Sequence, residues 1–484
     1  MAKKSRKAPS VASLGAGAGH SGLATSAGSA AMSSEDLISE AYAQEEQGDR
    51  YANDPVKSKR YYQRALDLYL QARARTPTDT ELTYNSARLF LVIADRTPDA
   101  REKLALLNQC LQLSHEVLVA NPDTIDAQFN AAQACIWRAE LVADEDGEGT
   151  TGRGVNAELA AQVRDDLMRA ADLLTTVADA QRAVLGGETT DSEPAAEPAP
   201  ATDAAMADGD SSDAGDDEIT ESSPITPAAL IDTLLLHVEC YELALDALAD
   251  TDPDAALPHA TQLLAEASAL AASIPAEPSA HGVALTTAPT DPAMAILLAD
   301  ASYTRARADR HVARTGTVRA DLYERALRAL ADVQTRAGAR HLQAHCDAGD
   351  VTVAWAEAVA ATVNPQNAVD DPAAVQVWQL LAQAAKHYLA AHQLDATRAT
   401  VLMHLAETEW NRAAWSARVG QAERARGTLM KNAAVYADRA WKRMRMADAG
   451  AGMSEREEVL GLLCQALEAL GMAADLARVR QIGP

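Results

Sequence analysis

Apolar positions recur along most of the chain with the 3.6-residue period of amphipathic helices, and Pro, Gly or Asp punctuates the pattern after roughly every 15–25 residues. Helices are predicted over 33–48, 56–75, 80–95, 99–120, 124–142, 157–185, 227–248, 254–273, 292–314, 318–337, 340–363, 372–393, 396–418, 421–446 and 454–470, taken as consecutive pairs. Ser33 and Asp36 supply a capping signal for the first, while Pro77 and Pro122 stand just beyond the second and fourth. No apolar run reaches the about 18–20 residues that a membrane helix requires, and the N-terminus has no apolar signal-peptide core. The expectation is an all-α protein of the cytoplasm, the nucleus or both, with no membrane partner.

The pairs carry a repeat. In YYQRALDLYLQARARTP, Ala65, Tyr69, Ala72 and Pro77 alternate small, aromatic, small and proline. Small residues let two helices approach closely, and the ring fills the gap toward the next pair. Setting Pro122 on Pro77, 45 residues earlier, brings Ala87 and Ala132 to the small position of the next two first helices, with Phe90 and Cys135 one turn on. This pattern resembles the tetratricopeptide repeat, though at a longer period than that family's standard, and YERALRALADV repeats it later through Ala326, Leu330 and Val333. The resemblance implies a right-handed α-solenoid of helix pairs. The segments GDRYANDPVKSKRYYQRALDLYLQA and ITPAALIDTLLLHVECYELAL are also similar to an uncharacterised group of fungal repeat proteins with an acidic insertion.

Composition sharpens this picture. Of 484 residues 48% are apolar but only 4% aromatic, with Phe90 and Phe129 the two phenylalanines, which favours Ala-lined helix packing over a β-sandwich. The net charge of −26 is uneven. Lys3, Lys4, Arg6 and Lys7 open an otherwise Gly-, Ser- and Ala-rich tail over 1–32, whose basic run is a candidate nuclear import signal. Residues 186–223 hold twelve carboxylates and no Lys or Arg, with prolines that forbid a helix, so a disordered acidic loop is expected there. The domain plan is thus 1–32 tail, 33–185 helix pairs, 186–225 acidic linker and 226–484 divergent helix pairs. Such a field repels phosphates, so direct nucleic-acid binding is not expected. It attracts basic proteins, and Asp208, Asp210, Asp213, Asp216, Asp217 and Glu218 are the candidates for masking a client's charge. An acidic insertion within such repeats is similar to that of NASP-type histone chaperones, an analogy of client class alone.

Candidate chemistry is sparse. No phosphate loop, nucleophile elbow, HExxH or EF-hand loop occurs, so no enzyme, cofactor or metal is expected. The five cysteines lie far apart without a CxxC pair, as small buried residues do. His341, His345 and Cys346 share a predicted helix, but Cys346 points about 100° from His345, and the three do not converge on a metal. Asn85 and Asn130, also 45 residues apart, fall where the resemblance places a groove amide that hydrogen-bonds the backbone of an extended peptide. An inter-helix role for both is the alternative. Asp126 and Asn130 stand where heat-shock adaptors of the family carry Lys and Arg, so a C-terminal heat-shock carboxylate is not an expected ligand. Trp355, Trp378, Trp410, Trp415 and Trp441 are expected between helices, and Arg439, Lys442, Arg443 and Arg445 on one solvated face. Together these point to a protein-binding adaptor or dedicated chaperone for an extended basic client, such as a ribosomal protein or histone. The alternative is a non-catalytic scaffold subunit whose acidic loop serves solubility.

Overall fold

The computed structural model describes residues 32–147, 157–187, 225–248, 253–274, 291–337, 340–364, 369–446, 453–472 and 476. Of these, 86% are helical and none lies in a strand. The basic run at Lys3–Lys7 and the carboxylates from Asp208 to Glu218 lie outside the described residues. The helices are α1 (Ser34–Arg50), α2 (Pro55–Arg75), α3 (Thr80–Asp95), α4 (Ala100–Ala120), α5 (Ile125–Gly147), α6 (Ala157–Leu185), α7 (Pro227–Ala247), α8 (Pro253–Ser273), α9 (Pro292–Thr315), α10 (Ala320–Arg336), α11 (Leu342–Thr362), α12 (Pro372–Leu394), α13 (Ala399–Ser416), α14 (Arg426–Met446) and α15 (Met453–Ala469).

Local chemistry explains where they begin. Ser33 and Asp36 form a reciprocal capping box at α1. Asp54, Asp79, Asp99, Asp291 and Asp371 each accept an early backbone N–H of the helix that follows. Pro55, Pro227, Pro292 and Pro372 take first-turn positions, where no N–H is needed. The chain leaves α9 through Gly316 at φ 66°, a left-handed conformation that glycine adopts without strain.

Each helix packs on its predecessor and its successor, so the chain forms an α-solenoid of stacked helix pairs. The odd-numbered helices also touch across pairs, α3 on α5, α5 on α7, α7 on α9 and α9 on α11. The even layer is bridged instead by long side chains: Lys59 to Glu102 at 3.0 Å, Arg73 to Glu116, and Arg182 to Glu266 at 2.7 and 2.9 Å. We call the odd-numbered helices the inner layer and the even-numbered ones the outer layer; the inner layer also carries an ion pair, Glu45 of α1 with Arg88 of α3. Lys59 and Glu102, Arg73 and Glu116, and Glu45 and Arg88 are each 43 residues apart, two short of the 45-residue spacing between the equivalent caps Asp54 and Asp99, so each pair joins one repeat to the next.

The core is a series of clusters along the stack, rich in alanine. Ala65, Tyr69, Ala72 and Ala132 are fully buried, Ala87 nearly so, Phe90 is partly buried against two clusters, and exposed Pro77 lies just past the end of α2. Ala326, Leu330 and Val333 are buried likewise on α10. Cys240 and Leu248 of α7 belong to the same cluster as α4, α5 and α6, and the Cys240 thiol donates to the Leu167 carbonyl at 3.2 Å. The acidic stretch is therefore an insertion within one stack, with a shared core on both sides of it.

A tyrosine hydroxyl clasps the two helices of a pair at four places. Tyr62 donates to Asp49, Tyr69 to Glu45 at 2.7 Å, Tyr323 to Asp309 at 2.5 Å and Tyr388 to Asp350 at 2.5 Å. Two of these rings lie against a glycine. A Cβ built on Gly48 would sit 2.6 Å from Tyr62 Cε1, and one on Gly349 closer still to Tyr388. We expect Gly349→Ala to cost about 1–3 kcal/mol in denaturant unfolding. In contrast, Gly461→Ala, in α15 with open space around it, stabilises by up to about 1 kcal/mol. Equal effects at the two sites would contradict the clasp.

Candidate functional site

The inner layer carries a track of carboxylates. Glu239, Glu242 and Asp246 follow one another at i, i+3 and i+7 on α7, and Ser302, Arg305 and Asp309 repeat that spacing on α9. Asp347, Asp350 and Glu357 continue it on α11, and His404 and Glu407 on α13. Ser302 donates to Glu242, and Arg305 Nε lies 3.6 Å from Asp309. The spacing keeps each set on one face of its helix, and the direct contact of α7, α9 and α11 brings the faces side by side.

This crowding sets the protonation behaviour. Burial raises the Glu242 carboxyl to about 7, assisted by the charges of Asp246 and Glu239 and opposed by the Ser302 hydrogen bond and Arg305. Burial likewise raises Asp246 and Asp309, each with Arg305 opposing. Glu357 is raised by burial and by Asp309, Asp347 by burial and by Asp350, and Glu239 by burial and by Glu140 of α5. Each is a carboxylate that a nearby cation would favour.

At the far end the track opens into a cavity of about 460 Å³ between α9, α11, α12, α13 and α15. Asp309, Asp350, Glu357 and Glu407 face one guanidinium, Arg305, across it, and Tyr388, His404, Thr408, Trp410 and Asn411 complete its polar and aromatic wall. His404 stacks on Tyr388 at 5.3 Å and lies 3.8 Å from Glu407.

The residues singled out from sequence are dispersed relative to this site. Asn85 on α3 is buried, 7% exposed, with its amide in hydrogen-bonding reach of Tyr42, and half-buried Asn130 on α5 stands in the same relation to Tyr84. Both bridge neighbouring pairs on the inner layer, so a peptide amide reaching them competes with a tyrosine hydroxyl. Glu45 accepts from Tyr69 and pairs with Arg88 between them, tying α1, α2 and α3 together. His341 uses Nδ1 to cap α11, accepting from Ala344 N at 3.1 Å, and Cys346 packs beside Tyr388 and Leu405. No cluster of three or more His, Cys, Asp or Glu suited to a metal occurs among the described residues. Four cysteines are buried and Cys464 partly so. Lys442 pairs with Asp438 at 2.6 Å, whereas Arg443 and Arg439 lie near His392, which burial and both cations push below its ordinary value. Trp441 is buried between helices, but Trp410 also forms cavity wall.

Fold and site define a helix-pair solenoid with an acidic inner face. No family model matches the chain. It is similar to the UPF0656 protein C926.02 of Schizosaccharomyces pombe, 30% identical over 105 residues, a match spanning 22% of this chain and 24% of that protein's length. Among solved structures it is similar to that of Nro1, the hypoxic regulator of sterol synthesis described as a nuclear import adaptor. That likeness has 11% identity and a TM-score of 0.30, covering 88% of this chain and 93% of that one. It is also similar to the human IFIT1 dimer with m7Gppp-AAAA, at 9% identity and a TM-score of 0.26, covering 94% and 90%.

The raised Glu242 fixes the sign of a pH effect. Its neutral form is favoured on folding, so this contribution is full below the ordinary value of 4.5 and lost as pH rises through about 7. Glu242→Gln is expected to raise Tm by about 2–4 °C at pH 8 and to leave it unchanged near pH 4. A difference independent of pH would contradict the assigned burial.

Proposed function

We propose that this chain is a non-catalytic protein-binding adaptor or dedicated chaperone whose inner face holds an extended, basic segment of a client. The observation that carries the reading is the carboxylate track from α7 to α13, which sets eight acidic side chains on one layer, four of them lining a cavity with Arg305. Lys- or Arg-bearing peptide lowers the cost of ionising these crowded groups, whereas a phosphate backbone raises it. The acidic stretch 186–223 lies in sequence between α6 and α7, and its twelve carboxylates add to the chain's attraction for a basic client. Asn85 and Asn130 add backbone-directed amides at the N-terminal end of the layer.

Ribosomal proteins and histones have the right charge for such a client. No helix among the described residues is long and apolar enough to cross a membrane. A client of this kind works in the cytoplasm or nucleus, and Lys3, Lys4, Arg6 and Lys7 would serve nuclear entry.

Binding of a fluorescent Lys- and Arg-rich peptide to the full chain, followed by anisotropy, tests the reading. The affinity is expected to fall about tenfold between salt of about 0.01 M and about 0.1 M, where the screening length shrinks from about 30 Å to about 10 Å. Glu239→Gln, Glu242→Gln and Asp246→Asn combined should remove most of it. Absence of binding, or binding indifferent to salt and to the triple substitution, would favour the scaffold alternative.

A further inference from the structure

The cavity at the end of the track differs from the rest of the inner face, because there the carboxylates are joined by aromatic rings and walls on several sides. We propose that this cavity is a receptor for a single arginine side chain of the bound partner, seated between carboxylates and the ring of Trp410. The proposal rests on the basic-client reading and gives it a point of specificity.

Volume, charge and shape each point to this occupant. About 460 Å³ is within the range of sites that enclose a small group, and it accommodates a long side chain with part of its backbone. Its lining has four carboxylates against the one guanidinium of Arg305, an excess of three negative charges within one cavity. Asp309 and Asp350 each accept a tyrosine hydroxyl on Oδ1, which holds the carboxylates in place; Oδ2 of Asp309 pairs with Arg305, while Asp350 can accept a further donor on Oδ2. The carboxyl of Glu357 is disfavoured in its charged form by burial and by Asp309, and a cation between the two relieves both.

The aromatic wall selects among cations. Trp410, together with the stacked pair Tyr388 and His404, lines the cavity beside the carboxylates. A guanidinium is planar, donates two parallel hydrogen bonds to a carboxylate and stacks on aromatic faces, whereas an ammonium is a hydrated point charge. Thr408, 2% exposed, adds a hydroxyl to the same wall. A phosphate or a carboxylate ligand would meet this charge excess unfavourably.

The test uses the full chain and three short Gly/Ser peptides that differ in one central residue: Arg, Lys, or citrulline, the uncharged isostere of Arg. The Arg peptide is expected to bind about tenfold tighter than the citrulline peptide and measurably tighter than the Lys peptide. Glu357→Gln with Glu407→Gln should abolish the preference for Arg over citrulline, and Trp410→Leu the preference for Arg over Lys. Equal binding of all three peptides to the wild-type chain would overturn the proposal, as would a preference that survives the Glu357 and Glu407 substitutions. Should Trp410→Leu fail to fold, the paired Glu substitutions still decide the matter. A Lys- and Arg-rich peptide titrated in parallel separates the two readings. If it binds in a salt-sensitive way while the single-Arg preference is absent, the receptor fails and the acidic-face reading stands; if neither binds, both fail. Binding of a short RNA that the same Glu substitutions weaken would also overturn the proposal.

Discussion

A tyrosine hydroxyl on one helix donating to a carboxylate on its inner-layer neighbour is the constraint on which much of this molecule turns. Glu45 with Tyr69, Asp49 with Tyr62, Asp309 with Tyr323 and Asp350 with Tyr388 repeat it from the first pair to the α11–α12 pair. Burial, with the neighbouring carboxylate second, pushes the hydroxyls of Tyr69 and Tyr388 well above their ordinary values, so both remain protonated donors. The clasp sets the spacing of a pair, and the glycines at Gly48 and Gly349 admit the rings. Removing either partner would leave a buried polar group unsatisfied, which costs more than the net worth of the bond.

The clasp has a second consequence, for charge. It requires carboxylates on the inner helices, and a carboxylate bonded through one oxygen still presents its charge to the layer's surface. Asp309 and Asp350 therefore belong both to the scaffold and to the cavity wall. The neighbouring Glu239, Glu242, Asp246 and Asp347 extend the same field along the stack, and burial of these groups makes a cation an effective relief. Outer helices, by comparison, spend their charges on each other in pairs such as Lys59 with Glu102.

Much of the fold was legible in the chain itself. Helix boundaries read from Pro, Asp and the 3.6 period agree with the structure to within a few residues, because first-turn prolines and aspartate caps act locally. The small and aromatic positions at Ala65, Tyr69 and Ala72 were legible for the same reason: a fully buried alanine beside a ring leaves a regular trace. The carboxylate track was not. At i, i+3 and i+7, Glu239, Glu242 and Asp246 look like an ordinary solvated face, and only the packing of α7 against α9 brings Ser302 and Arg305 beside them and partly buries Glu242. Trp410 is similarly ambiguous, since a tryptophan between helices and one at a cavity wall carry the same sequence signature. Asn85 and Asn130 share a register that sequence detects, but their tyrosine partners Tyr42 and Tyr84 come from adjacent pairs and are visible only in three dimensions.

The central claim is that the inner-layer carboxylates, and not an apolar subunit interface, select the partner. Its most direct test is affinity purification of the intact chain beside two variants, one lacking 186–223 and one with the α7 carboxylates neutralised, each at low and moderate ionic strength, with mass spectrometry of what co-purifies. The account predicts one or a few strongly basic proteins that are lost with the α7 substitutions and with salt, and reduced without the acidic stretch. A partner set unchanged by salt and by both variants would contradict it.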